Sequence, residues 1–430
     1  VQEWKKQIIS FFYEGESRLE RVVITGMGVV SPIGNDVDTF WDHLVAGKSG
    51  IRKIDTFDTD SYKTKIAGLV KNFNATEVIG KKDARKLDPF CHYALAAAAQ
   101  AWNGAQLDFG MVEQDRLGVY VGSGIGGIQT LLNNAEKLRE RGPRRVSPML
   151  VPTMIANMAA AEISIKWQAL GPSMSPVTAC AIGNTSIGEA FKLIRGGEVD
   201  VMFAGGTEAA VTDLSLAGFE NATALSSRND HPEEASRPFD AERDGFVMAE
   251  GAGILILESL THALNRKASI YAEIIGYGAS SDAYNMVAPD PEGKGAYLAM
   301  KKALDDAGVS ADAVDVISAH ATSTKPGDFS ETSAIKHLFG KKAYDIPVTA
   351  NKSMTGHMLG ATGGVEAIAL VKSLQEDIIP PTINQEKADP DCDLDYTANV
   401  ARKQDLTIGL SNSFGFGGHN AVLVMKKYLS

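Results

Sequence analysis

Cys180 lies in TACAIGNTSIGEAFKLIRGGE, where a run of small residues passes into an amphipathic helix. A thiolate at a helix N-terminus is stabilised by unpaired backbone N–H groups and by the helix dipole, so this position predicts a lowered thiol pKa. The same N–H groups could hold an oxyanion once the sulfur attacks a carbonyl. A second stretch, TGHMLGATGGVEAIALVKSLQE, repeats the pattern 177 positions later and puts His357 in register with Cys180, Gly360 with Gly183 and Glu366 with Glu189. A thiol and an imidazole at one place in two copies of a unit predict a pseudo-symmetric fold whose halves share a catalytic cleft. His320 closes the apolar run VDVIS, and strand C-terminal ends are where α/β folds usually bind ligands. Lys352, in NKSMTGH, could anchor a carboxylate or an imidazole, and Glu366 could neutralise it. No HxxxH or HExxH spacing joins these residues, so a zinc site is poorly supported.

The elements that must position these groups alternate between strand and helix. Apolar runs at 21–30, 117–127, 200–210, 251–260, 270–279 and 314–324 read as buried strands, several ending in glycine turns. Segments 83–102, 294–308 and the stretches after Cys180 and His357 read as helices, and LTIGLSNSFGFGGHNAVLVM closes the chain as a strand pair. Continuous rather than alternating apolar strands predict an α/β class with sheets covered by helices. The order of elements recurs at a period too long for a solenoid, which points to duplication and fusion. The division expected is an extension over 1–20, a nucleophile-bearing half over 21–265 and a histidine-bearing half over 266–430, sharing one interface.

At 430 residues with 44% hydrophobic content, the composition is that of an ordinary globular protein. No stretch approaches the roughly 18 consecutive apolar residues of a membrane span. IISFFY near the start is short and followed by charge, unlike a secretory signal. The net charge of −11 disfavours nucleic acid as a partner. Three widely spaced cysteines argue against a disulfide framework, and Cys91 and Cys392 read as small buried hydrophobes. The glycine-rich GMGVVSPIG and SGIGG lack the third glycine or the lysine of nucleotide-binding loops and read as tight turns.

TACAIG, AHATSTKPGD, NKSMTGHMLGATGGVEA, RPFDAERDGFVMAEGAG and SNSFGFGGHN together resemble the β-ketoacyl-[acyl carrier protein] synthases, from about Arg21 to Tyr428. LSSRND, GPRRVSP and GFGGHN are most similar to the elongating type II enzymes. The resemblance implies a thiolase-like fold, duplicated halves forming a five-layer αβαβα core, a homodimer and a cytoplasmic location, or an organelle of bacterial ancestry. It implies that Cys180 takes the acyl chain from acyl carrier protein, while His320 and His357 hydrogen-bond the thioester carbonyl of malonyl-carrier protein as carbon dioxide departs. Lys352 would orient His320 with Glu366 as its partner, and the N–H groups of Cys180 and Phe416 would form an oxyanion hole. Phe414 and Phe416 would form a gate, Thr322 and Thr324 would touch the phosphopantetheine arm, Phe246 would face malonate and Ile125 would line the acyl pocket. No metal or organic cofactor is required, because the thioester itself activates the carbon.

Basic runs at 80–86 and 139–145 gather Lys81, Lys82, Arg85, Lys86, Arg139, Arg141, Arg144 and Arg145. With the resemblance they become the expected dock for the acidic carrier protein, steered in a salt-sensitive way. The sequence departs from the family pattern at Ala321, where glycine is frequent, at Lys325, where proline or a small residue is frequent, and at Thr223, where a basic docking residue often stands. The rival readings are a stand-alone polyketide-type ketosynthase, which shares the catalytic residues, and a catalytically silent carrier-protein-binding scaffold. A thiolase would need a cysteine where His419 stands, and the CoA-primed initiating enzyme an asparagine where His357 stands.

Overall fold

The computed structural model describes residues 19–429, so the expected extension over 1–20 lies almost entirely outside the described residues. Ten strands make the main sheet: β1 (Val22–Val30), β2 (Leu117–Gly122), β3 (Ser173–Met174), β4 (Val201–Glu208), β5 (Gly251–Ser259), β6 (Ala272–Ser281), β7 (Val316–Ser318), β8 (Val348–Thr349), β9 (Ile408–Gly415) and β10 (His419–Lys427). Outward from the centre, the order is β1-β5-β4-β2-β3 on one side and β6-β10-β9-β7-β8 on the other. Each strand of the first set thus has its counterpart in the second. The sets meet where β1 and β6 pair antiparallel, Val22 opposite Ile274 and Ile24 opposite Ala272.

The helices that matter for the site are α1 (Lys81–Lys86), α2 (Pro89–Gly104), α3 (Ile128–Arg141), α4 (Met158–Trp167), α5 (Ile182–Arg195), α6 (Lys294–Ala307), α7 (Lys325–Phe339) and α8 (Thr362–Glu376). Side chains alternate across a strand, and here both faces are buried. On β4, Met202 and Ala204 face a central core with α5 and α8, while Val201 and Phe203 face an outer core with α2 and α4. On β10, Leu423 and Met425 join the central core, while Val422 and Val424 join an outer core with α6 and α7. The two strand sets, joined through β1 and β6, thus stand as two sheet layers, and the result is five layers, helix–sheet–helix–sheet–helix, as in an α/β thiolase-like fold.

Glycines set the spacing of the layers. A Cβ on Gly28 would lie 1.9 Å from the Ala97 carbonyl oxygen on α2, and one on Gly278 would lie 2.1 Å from that of Ala299 on α6. The same strand-glycine-to-helix-alanine contact therefore occurs in both halves, on the equivalent strands β1 and β6. In the middle layer α5 and α8 cross at Gly183 and Gly363, where a Cβ on Gly183 would approach the Gly363 Cα to 2.7 Å.

Three sequence expectations change. The helix expected over 83–102 is two, α1 and α2, because Pro89 drives Asp88 into extended backbone at ψ 152°. The strand expected over 314–324 stops at Ser318, and left-handed turns follow at Ala321 (φ 28°) and Ser323 (φ 70°). The repeat register also moves by three residues. Cys180 sits in a 3-10 turn, Ala179–Ala181, whose counterpart is Leu359–Ala361, and their leading residues share a left-handed φ of 50° and 47°. The structural equivalent of Cys180 is Gly360, and His357 stands ahead of that turn.

Candidate active site

Each reactive group is delivered by the end of an element. The 3-10 turn before α5 presents Cys180, which is buried, and the backbone N–H groups of Cys180 and Phe416 both act on its sulfur. Burial nevertheless pushes the thiol up to about 12, against the pull of Lys352 and the two N–H groups. The lowering expected from the helix terminus is outweighed, because a dry site penalises the charged form. Cys180 rests as the thiol.

His320 follows β7, and its turn is clamped by one carboxylate. The N–H groups of His320 and Ala321 donate to Glu331 at 2.9 and 2.7 Å, and Asn412 Nδ2 donates to the same group at 3.0 Å. Lys352 Nζ lies 3.5 Å from His320 Nδ1 and 2.7 Å from Glu366 Oε1. An ammonium can only donate, so Nδ1 accepts and the proton of His320 resides on Nε2. His357 is held by its own backbone, which bonds Val247 and Ala249, and its Nδ1 lies 3.1 Å from Thr362 Oγ1 at the start of α8.

The two imidazoles meet edge to face with ring centroids 5.4 Å apart. Burial holds both well below the ordinary histidine range, and the Lys352 charge adds to the effect, so both are neutral. Glu366 is pushed up to about 7 by burial, with Lys352 opposing. The pair of neutral rings can donate hydrogen bonds to a developing oxyanion without competing as strong bases.

Cys180, His320 and His357 share one cavity of about 1080 Å³. Ile125, Phe246, Thr322, Thr324, Phe414 and Phe416 line it too. Phe246 lies edge-on to His357 at 5.4 Å, Phe414 is 5.7 Å from His320, and the Thr322 and Thr324 hydroxyls are 3.0 Å apart. Lys352 and Glu366 stand behind the wall as a buried pair. The basic residues are elsewhere: Lys81, Lys82, Arg85 and Lys86 are exposed on α1, Arg144 and Arg145 on a 3-10 turn after α3, and none lines the cavity. Among the described residues, no helix is long and apolar enough to cross a membrane. Cys91 and Cys392 are buried and unbridged.

Sequence reasoning missed the carboxylates that hold these turns. Glu208 is fully buried at the end of β4 and accepts from Ser123 Oγ (2.8 Å), Gly124 N (2.8 Å), Ile125 N (3.2 Å) and Gly360 N (3.1 Å). It therefore fixes the Ile125 wall of the cavity and the counterpart of the Cys180 turn. Asp328 accepts from the N–H groups of Ser323 and Phe239 and faces Arg243 at 3.2 Å. The available signal was a glutamate ending the buried run VMFAGGTE, since such a group is seldom buried without a task.

Two family models match the chain, one described as beta-ketoacyl synthase, N-terminal domain, over residues 19–263, the other as beta-ketoacyl synthase, C-terminal domain, over residues 271–386. The chain is 52% identical over 412 residues to a 3-oxoacyl-[acyl-carrier-protein] synthase 2 of Staphylococcus aureus, covering 96% of this chain and 99% of that one. It is 50% identical over 409 residues to the protein of the same description from Synechocystis sp., covering 95% and 98%. Among solved structures, a beta-ketoacyl synthase from Burkholderia phymatum matches with a TM-score of 0.89 at 34% identity, covering 96% of this chain and all (100%) of that one. A type II polyketide ketosynthase bound to its acyl-carrier protein matches with a TM-score of 0.89 at 35% identity, covering 96% and 100%.

Proposed function

This chain belongs to the β-ketoacyl synthase family, and from that membership we propose how its own residues divide the work. The reaction is the decarboxylating condensation of an acyl-enzyme thioester with malonyl-[acyl carrier protein], which lengthens a fatty acyl chain by two carbons. Its substrates arrive on acyl carrier protein.

Cys180 sulfur attacks the acyl thioester, its carbonyl oxygen held by the N–H groups of Cys180 and Phe416, and the thiol proton leaves with the carrier's sulfur. Malonyl-carrier protein then enters with its thioester oxygen between His320 and His357. Loss of carbon dioxide leaves an enolate, which the two neutral imidazoles stabilise by donation to that oxygen. The carbanion attacks the acyl-cysteine carbonyl, and collapse of the tetrahedral intermediate releases the 3-oxoacyl product and expels Cys180 as the thiolate, which takes a proton from solvent to restore the resting thiol. Lys352 with Glu366 fixes the tautomer of His320, Phe246 packs against the malonyl group, Ile125 bounds the acyl chain, and Phe414 and Phe416 gate the entrance. Thr322 and Thr324 hydrogen-bond the pantetheine arm. The observation that carries this reading is a buried thiol under two converging N–H groups, facing two neutral imidazoles in one cavity.

Around that centre we place the division into halves 21–265 and 266–430, a homodimer, a cytoplasmic setting, and carrier docking on Lys81, Lys82, Arg85, Lys86, Arg144 and Arg145. The homodimer is supported by the exposed edge strand β3 and by exposed Leu131, Leu138, Val151 and Val177 in the first half. The polyketide reading has a supporting neighbour at 35% identity, well below the 52% of the fatty-acid relative. A series of acyl-carrier proteins of rising chain length, each offered with malonyl-carrier protein, tests the function. Single two-carbon extension across a range of saturated chains is expected. Repeated extension of an unreduced product would favour the polyketide reading, and no condensation would overturn both.

A further inference from the structure

Lys325 remains after the reaction has been assigned. It replaces the proline or small residue frequent at its position, and it lines the same cavity as Cys180 and both imidazoles. The other cations on that wall are already neutralised. Arg243 is buried between Asp328, at 3.2 Å, and Asp389, at 2.5 Å. Arg228 faces Glu242 at 3.8 Å and Asp244 at 3.9 Å. Lys325 is exposed and, among the described residues, has no carboxylate within the 4.0 Å of an ion pair. The Lys325 charge also acts on Asp389, which Arg243 already pairs.

The backbone beneath this ammonium is pinned. Arg243 Nη2 donates to the Lys325 carbonyl at 3.2 Å and Nε to that of Thr324 at 3.4 Å. Thr324 Oγ1 caps α7 by accepting from the Gly327 N–H at 3.3 Å. From the imidazole outward, His320, Thr322, Thr324 and Lys325 all line the cavity, an imidazole, two hydroxyls and an ammonium in succession. Five residues of chain reach at most about 17 Å, and the two left-handed turns shorten that span. A thioester arm laid along this track has its reacting carbonyl at His320 and its far end beside Lys325.

We infer that Lys325 binds the phosphodiester through which the pantetheine arm is attached to the carrier protein, so that this chain reads the arm's single negative charge as well as the carrier's acidic surface. A lysine acts on phosphate as a point charge, which suits a site that must release its arm after each turnover. The inference rests on the proposed function, in which substrates arrive on acyl carrier protein.

The test compares three acyl donors for Cys180, with the acyl-enzyme read by mass: acyl-phosphopantetheine, acyl-pantetheine and acyl-carrier protein. The wild-type enzyme should prefer the phosphorylated arm by up to about fivefold in kcat/KM, the range of an exposed ion pair, with the preference shrinking in salt. Lys325→Ala should bring the phosphopantetheine rate down to the pantetheine rate, and Lys325→Arg should restore the preference. Equal treatment of the two arms by the wild-type enzyme would overturn the inference. So would a Lys325→Ala defect confined to acyl-carrier protein, which would assign the lysine to the protein surface. Failure of all three donors to acylate wild-type Cys180 would instead overturn the proposed function.

Discussion

At Cys180, burial and the surrounding donors act in opposite directions, and burial wins. The sulfur is therefore held as a thiol, up to about 12, and in the proposed mechanism it reacts once a thioester carbonyl enters the two N–H groups. Cys180→Ser should lower acyl transfer from acyl carrier protein by on the order of a thousandfold or more, because a hydroxyl there has neither a base nor a polarizable nucleophile. Full condensing activity in that variant would contradict the mechanism. The imidazoles lie below their ordinary value near 6.5, so they are neutral above it and resist protonation just beneath it. Decarboxylation of malonyl-carrier protein should accordingly be level from about pH 6.5 upward, with no step at the ordinary histidine pKa. The unfolded chain binds those protons more readily, so the stability that neutral imidazoles contribute is full above the unfolded value and is lost as pH falls. His357→Ala should keep self-acylation, lose carbon dioxide release, and lose less stability than wild type between pH 7.5 and 5.5 in urea titrations, all by removal of one buried neutral ring. Cysteine, histidine and lysine were legible in sequence because their contexts are unusual. Glu208, Glu331 and Asp328 were not, because a carboxylate in sequence carries no mark of the backbone N–H groups it will meet.

Elements were read more easily than their ends. The long strands β1, β4, β5, β6 and β10 follow continuous apolar runs, which tertiary burial on both faces reinforces. The failures lie where local rules compete: Pro89 breaks a helix that composition favours, and His320 to Thr324 fold into turns that only Glu331 and Asp328 make affordable. The repeat slipped by three residues for a geometric reason. Three residues are nearly one helical turn, so sliding α8 along α5 by that amount keeps small and apolar residues on the same face. Only the backbone, with its matched left-handed residues at Ala179 and Leu359, fixes the register. Layer spacing makes a separate prediction. Gly278→Val places a branched side chain where the Ala299 carbonyl already stands, and overpacking of this kind costs about 1–3 kcal/mol or more. A fall in Tm of several degrees is expected, and an unchanged Tm would show that α6 can move away freely.

Over the whole molecule, the proposed docking of an acidic carrier on a chain of net charge −11 relies on segregation: the basic residues of α1 and of the turn after α3 stand exposed outside the cavity. Arg144→Glu with Arg145→Glu should raise the KM for acyl-carrier protein severalfold at low salt, with the gap closing as salt is added, and leave the acylation of Cys180 by acyl-pantetheine intact. An unchanged KM would remove this surface from the docking site. The duplication itself reaches into the chemistry through two strand ends. Glu208 closes β4 and Gly415 closes β9, at equivalent places in the two halves. In one half the glutamate side chain occupies the backbone donor of Gly360, sealing that turn with a buried carboxyl group. In the other, even a single carbon on Gly415 would come within 3.0 Å of the Cys180 nitrogen. In the proposed mechanism, the missing side chain at Gly415 leaves the Cys180 N–H open to the substrate's oxygen, while its counterpart Glu208 occupies the donor of Gly360 with a side chain of the protein itself.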